Sequence, residues 1–421
     1  ILNSIWMLFE RVVTVIGALT ITIYTARYLG PDQFGMITYA LAIASIIIPI
    51  SQLGSQTLLF DRIIKNKDSG ITLLIISSKI RKYVFCIVSV FVMGVSYLSG
   101  SDELQILIIF LIILSSYFTA QDAYKAYYDA TLQSKINSIT SQIGLILALV
   151  SRYLMVEVEL TVGFFCLPYI INTMAPYVIK KIHFRNQVSI RRVNSKTRRK
   201  YRDFSLKAGL PLAISSLSVV LYTKLGQVIL AHTNSVQDVG LFNAGATVSQ
   251  GWMFVPLILM TVLLTKAIDE SSMIRKNTAF SFIFLVCAIV SSSFVLLLIM
   301  YPVEAILHTF GEEFLGASKL VVYLSVGTWF SVVGTISSRI IINSGGYSFL
   351  MKKTVLVALV NVIFSIILIY RLGVEGAAIA LMLTEILSAT VFNYFYRKKS
   401  IFWIHYNMFK SAGYFKNIIN G

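Results

Sequence analysis

The chain has 421 residues, 57% of them hydrophobic and 13% charged, with a formal net charge of +17 and three cysteines. At a mean hydropathy of +0.78, a soluble globule of this length would lack the charge its surface needs. A sizeable soluble domain is therefore excluded, and with it a nucleic-acid reader that grips phosphates through a soluble basic face.

Twelve apolar stretches of about twenty residues, the length that crosses a hydrocarbon core, predict an all-α polytopic membrane protein. In chain order they are 5–27, 34–60, 83–99, 104–124, 136–156 and 160–179, then 208–231, 239–265, 278–301, 318–342, 349–370 and 374–396. With the N-terminus in the cytoplasm, cytoplasmic segments hold about 29 Lys/Arg and external ones about 4. That imbalance places both termini inside and accounts for most of the net charge. The longest loop, 180–207, contains IRRVNSKTRRKYRD and reads as a cytoplasmic topogenic linker near anionic headgroups, with partner or lipid binding as the alternative. It divides the chain into a six-helix lobe 1–181, a basic linker 182–206, a second six-helix lobe 207–396 and a cytoplasmic tail 397–421.

No phosphate-binding loop, dinucleotide fingerprint or nucleophile elbow is present, so transport is expected to run on a gradient rather than on ATP. Cys86, Cys166 and Cys287 fall inside spans and read as small buried hydrophobes. The four histidines have no ligand spacing, so neither metal nor cofactor is expected. The chain starts at Ile1 rather than Met, so a few N-terminal residues are expected to be missing; nothing resembles a cleaved signal peptide.

The halves echo one another. GPDQFGMITYA (Gly30–Ala40) corresponds to SVQDVGLFNAG (Ser235–Gly245), and SRYLMVE (Ser151–Glu157) to YRLGVEG (Tyr370–Gly376). Lys125 and Asp129 precede Arg339 and Asn343 at one constant offset. Even span numbers between cytoplasmic ends make this a parallel repeat, a pseudo-twofold about the membrane normal, which encloses a cavity open alternately to either side. The pattern favours a transporter over an enzyme.

ARYLGPDQFGMITYA (Ala26–Ala40), VGLFNAG (Val239–Gly245), FGEEFLGASKLVVYLSVG (Phe310–Gly327) and YRLGVEGAAIAL (Tyr370–Leu381) carry a resemblance over essentially the whole chain. They resemble the polysaccharide transporters of the multidrug/oligosaccharidyl-lipid/polysaccharide (MOP) exporter superfamily, most closely the Wzx-type O-antigen flippases. That resemblance implies a V-shaped pair of six-helix bundles in the bacterial inner membrane. By alternating access they would flip an undecaprenyl-diphosphate-linked oligosaccharide from the cytoplasmic to the outer leaflet. The substrate would be a lipopolysaccharide O-antigen unit or a similar surface polysaccharide. Turnover would be ion-driven antiport with H+ or Na+ as the coupling ion, in a functional monomer. A polysaccharide polymerase and a chain-length regulator in the same membrane are the implied partners.

Ionisable groups inside spans are costly and so mark cavities or pairs. Lys224, about sixteen residues into the seventh span, is the sharpest: a substrate-phosphate contact, an internal ion pair or a snorkelling side chain. Where the family often has an acid after a basic residue, this chain reads KLGQ with Gly226, which counts against a bound cation there. Arg11 faces the cavity or pairs with Glu10 or a neighbouring helix. Arg339 snorkels to the cytoplasmic side or, with Lys125, guards the cytoplasmic mouth; Arg suits a diphosphate because its fork donates to two oxygens. Lys207 completes the diphosphate-binding set at a span end. Glu385, mid-span, shuttles a proton or makes a packing hydrogen bond; with Glu10 it is the ion-coupling candidate. Pro49 and Pro256 are hinges or inert kinks. Tyr24, Tyr28, Tyr83, Tyr124 and Tyr169 read as an interfacial belt.

Three other readings compete. A small-molecule exporter of the multidrug branch would carry an acidic cavity residue in the first span, where only Glu10 stands. A membrane glycan polymerase or ligase would carry a large external catalytic loop, and none exceeds about seventeen residues on the span limits above. The lipid II flippase is expected to add two C-terminal spans, whereas RKKSIFWIHYNMFK after residue 396 reads as an amphipathic cytoplasmic segment.

Overall fold

A computed structural model describes residues 2–188, 194–268, 272–397 and 399–414, with the backbone path alone for 2–13, 266, 273 and 412–414. Among the described residues no strand is present. The helices are α1 (Leu2–Gln52), α2 (Ser55–Lys65), α3 (Lys67–Leu98), α4 (Glu103–Gln121), α5 (Tyr124–Ala130), α6 (Ser134–Glu157) and α7 (Leu167–Gln187). Next come α8 (Ser195–Thr233), α9 (Val236–Gln250), α10 (Phe254–Ile268), α11 (Met273–Met300), α12 (Pro302–Thr309), α13 (Ser318–Asn343), α14 (Tyr347–Ala389), α15 (Val391–Tyr394) and α16 (Ser400–Tyr406). Short 3-10 turns cover Val162–Cys166, Glu312–Ala317 and Phe409–Tyr414.

Eight helical stretches among the described residues are long and apolar enough to cross a bilayer, nine if α9 and α10, bent by 41°, make one span. The chain is a polytopic membrane protein. Two of the stretches longer than a single crossing at 1.5 Å per residue, Thr14–Gln52 of 39 residues and Tyr347–Tyr394 of 48, are interrupted. Each is folded into two limbs at a non-helical glycine, Gly30 (φ 72°, ψ 171°) and Gly373 (φ 56°, ψ −131°). Positive φ costs glycine no Cβ clash, and Pro31 adds a missing N–H directly after the first of these breaks.

Two expected boundaries move. The second span ends at Gln52 rather than at 60, because Leu53 and Gly54 both take positive φ. Beyond that turn the chain forms the separate helix α2, which buries Ser55, Leu59 and Ile63 on one face and carries Arg62 and Lys65 in its last turn. The described part of the basic segment 180–207 is mostly helix rather than loop: α7 runs on to Gln187 and α8 begins at Ser195. It contains no Gly or Pro, and Lys and Arg are good helix formers. One cysteine also differs from expectation, since Cys86 is exposed while Cys166 and Cys287 are buried.

The chain forms two compact units, Thr20–Val228 and Ile1–Leu19 with Ile229–Gly421. The boundaries cut α1 and α8, whereas the basic segment lies wholly within the first unit. In that unit α6 and α4 pack on α7, and α3 packs on α2 and α4. Helix α3 exposes Tyr83, Ile87, Val90, Phe91, Tyr97 and Leu98, one helical face that suits lipid. In the second unit α13 is central, packed against α9, α11 and α14. Lipid tails are as apolar as leucine, so close packing rather than hydrophobic burial joins such helices. Gly327 of α13 illustrates it: a Cβ there would sit 3.2 Å from the Met382 Cα of α14.

Candidate functional site

Lys224 is half-buried on α8 and takes part in none of the three ion pairs of the described residues. One turn on, Gln227 is buried with its side-chain oxygen unpartnered. The Thr223 hydroxyl is spent on the α8 backbone, donating to the carbonyls of Val219 (3.0 Å) and Val220 (3.1 Å). This helix therefore presents an ammonium and an amide at i and i+3, on one face. A cation deep in an apolar helix, with no counter-charge among the described residues, is suited to meeting an anion that arrives from outside the fold.

A second polar centre in the same unit ties five helices together, α2, α3, α4, α5 and α7. Arg81 of α3 is 1% exposed. It donates from Nε to Ser55 Oγ (2.8 Å), from Nη1 to the Ala120 carbonyl (3.2 Å) and from Nη2 to Gln56 Oε1 (3.1 Å). Asp122, just past α4, pairs with Lys180 of α7, whose side chain is 3% exposed. The Asp122 carboxylate also accepts the Lys125 backbone N–H (3.2 Å) in the first turn of α5. Near by, the Tyr128 hydroxyl lies 2.8 Å from His183 Nδ1. These groups are satisfied by one another, which is the mark of a structural network rather than a binding surface.

In the second unit the two limbs of α14 and the short α15 share a polar seam. The buried Lys353 donates to Asn393 Oδ1 (2.7 Å), and Asn361 donates to Thr384 Oγ1 (3.0 Å). Glu385 is buried on the second limb, within electrostatic reach of Lys353 and of Ser331 on α13.

The remaining candidates are dispersed. Lys125, Lys207 and Arg339 have exposed side chains and make no ion pair among the described residues. The side chains of Glu10 and Arg11 lie outside the described residues. Lys224, Lys125 and Lys207 belong to the unit Thr20–Val228, Arg339 and Glu385 to the other. Pro256 stands in the first turn of α10, directly after the 41° bend. Pro49 lies within continuous helix, and the break comes at Leu53 and Gly54. Among the tyrosines, Tyr24 donates to Glu157 (3.2 Å) and Tyr28 to the Leu160 carbonyl (3.2 Å). Tyr169 lies under the Arg152 guanidinium at 4.2 Å, a cation–π contact.

Arg81, Asp122, Lys180 and Lys353 are absent from the sequence-based candidates because charges near span ends read as interfacial. Helical phase carries the signal for two of them. Leu74, Ser77, Arg81 and Phe85 are buried at steps of three or four, as are Lys353, Val357, Asn361, Ser365 and Ile369 at steps of four.

Residues 2–264 match the family model described as polysaccharide biosynthesis protein. The chain is 22% identical over 417 residues to the capsular polysaccharide biosynthesis protein CapF of Staphylococcus aureus, covering 94% of this chain and 99% of that one. An inward-facing multidrug transporter of the MATE family, in the MOP superfamily, superposes with a TM-score of 0.69 at 13% identity, covering 95% and 96% of the two chains. The lipid II flippase MurJ, in an inward closed conformation, superposes with a TM-score of 0.63 at 15% identity, covering 93% and 90%. The fold is thus that of MOP-superfamily transporters.

Proposed function

Because the chain belongs to the polysaccharide biosynthesis protein family, we propose that it is a Wzx-type flippase of a lipid-linked oligosaccharide. It moves an undecaprenyl-diphosphate-linked repeat unit, O-antigen or capsular, from the inner to the outer leaflet of the bacterial cytoplasmic membrane. Both chain ends face the cytoplasm, and an ion gradient drives turnover. The diphosphate brings about two negative charges into a low-dielectric slab, a prohibitive cost unless cations meet them. Lys224 is the observation that carries this reading: a half-buried ammonium, deep in an apolar helix, outside the ion pairs of the described residues. Arg11, Arg339, Lys125 and Lys207 add positive charge along the route, and the polyprenyl tail stays in lipid.

The test is complementation of a flippase-null strain, scored by surface glycan. Lys224→Ala is expected to abolish export with folded protein retained, and Lys224→Arg to preserve most of it, because the site asks for charge more than shape. Normal glycan with Ala at Lys224, Arg11 and Arg339 together would refute the cationic route. In the same assay Glu385→Gln separates coupling from packing. Loss of ion-linked flux at normal expression supports a proton relay with Lys353, and full transport leaves Glu385 a packing residue. Drug efflux without any effect on glycan would favour the small-molecule exporter instead.

A further inference from the structure

The C-terminal tail folds back on the second unit and closes a cavity of about 770 Å³ between itself, the start of α11 and the end of α13. Ile401 and Ile404 of the tail are buried, Ser281 of α11 donates to the Ile404 carbonyl (2.8 Å), and the His405 ring meets Phe284 edge-on at 4.4 Å. The tail is thereby fixed as one wall. Among the described residues three basic side chains, Lys276, Arg397 and Lys410, line the cavity and no carboxylate does. Lys276 spends one donor on the Ile268 carbonyl (3.4 Å). Arg397 and Lys410 lie over tyrosine rings, at 5.4 and 5.6 Å, and make no ion pair among the described residues. Asp269 and Glu270 precede Lys276 in sequence and lie outside the described residues, so Arg397 and Lys410 are the cations assigned to a ligand. The cavity also sits at the N-terminal end of the 28-residue helix α11, where backbone N–H groups favour an anion.

The tail also carries exposed aromatic side chains, Trp403 among the residues that line the cavity. Phe395, Trp403, Tyr406 and Phe409 are 54–75% exposed, and Ile274 at the start of α11 is 80% exposed. Aromatics of this kind settle at the headgroup level of a bilayer, and basic pockets beside membrane helices receive anionic headgroups. The volume lies in the range that holds a small amphiphile's polar part.

We propose that this cavity binds the phosphate of an anionic phospholipid, with Arg397 and Lys410 on the phosphate and Trp403 along the first carbons of the acyl chains. The proposal does not depend on what the protein transports. Bound lipid holds the tail against α11 and α13.

The test uses the full chain purified in an uncharged detergent, with phosphatidylglycerol, phosphatidylcholine or inorganic phosphate added at matched concentration. Native mass spectrometry is expected to show retained phosphatidylglycerol, and the lipid to raise Tm, with neither effect from phosphatidylcholine. Arg397→Gln with Lys410→Gln should weaken retention about tenfold or more, as loss of two charge-assisted contacts implies. Lys319→Gln, which removes a cation paired with Glu375 elsewhere on the unit, should leave retention unchanged. Equal retention by the double variant, or equal retention of phosphatidylcholine, would overturn the site. An equal Tm rise from inorganic phosphate alone would overturn the lipid as its source. A readout on the unaltered protein stands beside these: phosphatidylglycerol should slow hydrogen exchange over residues 399–411, and no slowing overturns the proposal.

Discussion

Arg81 and Lys224 are both cations set in apolar helices, but their surroundings give them opposite work. Arg81 has an acceptor for Nε and for each terminal nitrogen, whereas Lys224 stands outside every ion pair of the described residues. The Asp122–Lys180 pair belongs with Arg81, so breaking it should cost stability. Asp122→Asn leaves Lys180 a buried charge without its counter-ion, a loss of about 3–5 kcal/mol. The expected outcome is a sharply lower Tm in detergent, partly restored by Lys180→Met in the same chain. His405, in the tail beyond the last apolar span, gives a pH dependence. Burial pushes its pKa down to about 4, against about 6.5 in an unfolded chain. The folded state thus prefers the neutral ring, and the full stability is present above pH 6.5. It is lost as pH falls from there toward 4, by up to about 3 kcal/mol. Tm measured across that window should fall for the natural chain and run flat for His405→Phe, which keeps the contact with Phe284.

Breaks between helices matter as much as the helices. Three of the four segments that carry the family resemblance hold a glycine of positive φ at a turn: Gly30, Gly311 and Gly373. At the last of these, Gly376 also lets the Leu368 carbonyl approach, since a Cβ there would lie 2.0 Å from that oxygen. In the first unit, α8 passes the turn after α1 so closely that a Cβ on Gly209 would sit 2.1 Å from the Leu53 carbonyl. Neither backbone can yield cheaply, so Gly209→Ala should destabilise by about 1–3 kcal/mol. Gly94→Ala on α3, where nothing lies within 4 Å, should leave Tm unchanged. Equal Tm for both variants would mean the close approach is not formed. Within elements, boundaries track hydropathy closely where caps and glycines agree. The span read at 136–156 is α6, Ser134–Glu157, and that read at 318–342 is α13, Ser318–Asn343. Hydropathy misleads at 180–207, where it sees a polar loop but local propensity continues both helices.

For the whole molecule, orientation is open to a direct check. Reporters placed after Lys67, within Arg191–Arg202 and after Lys399 should read cytoplasmic, and those near Asp102, Glu157 and Glu312 external. A cytoplasmic reading at Glu312 would contradict the arrangement of basic loops on one side. The membrane class, the order of apolar stretches and the depth of Lys224 were all determined by the chain itself. Hydropathy acts over a few residues and needs no partner to be read. The tertiary structure decided the rest: that Arg81, Lys180 and Asp122 are a buried structural network, that Lys353 reaches Asn393 and acts on Glu385, and that the tail closes a basic cavity on α11. Each of these turns on which face of a helix meets another, across separations such as the 58 residues between Asp122 and Lys180. A hydropathy profile averages around the helix and so discards the phase that decides it.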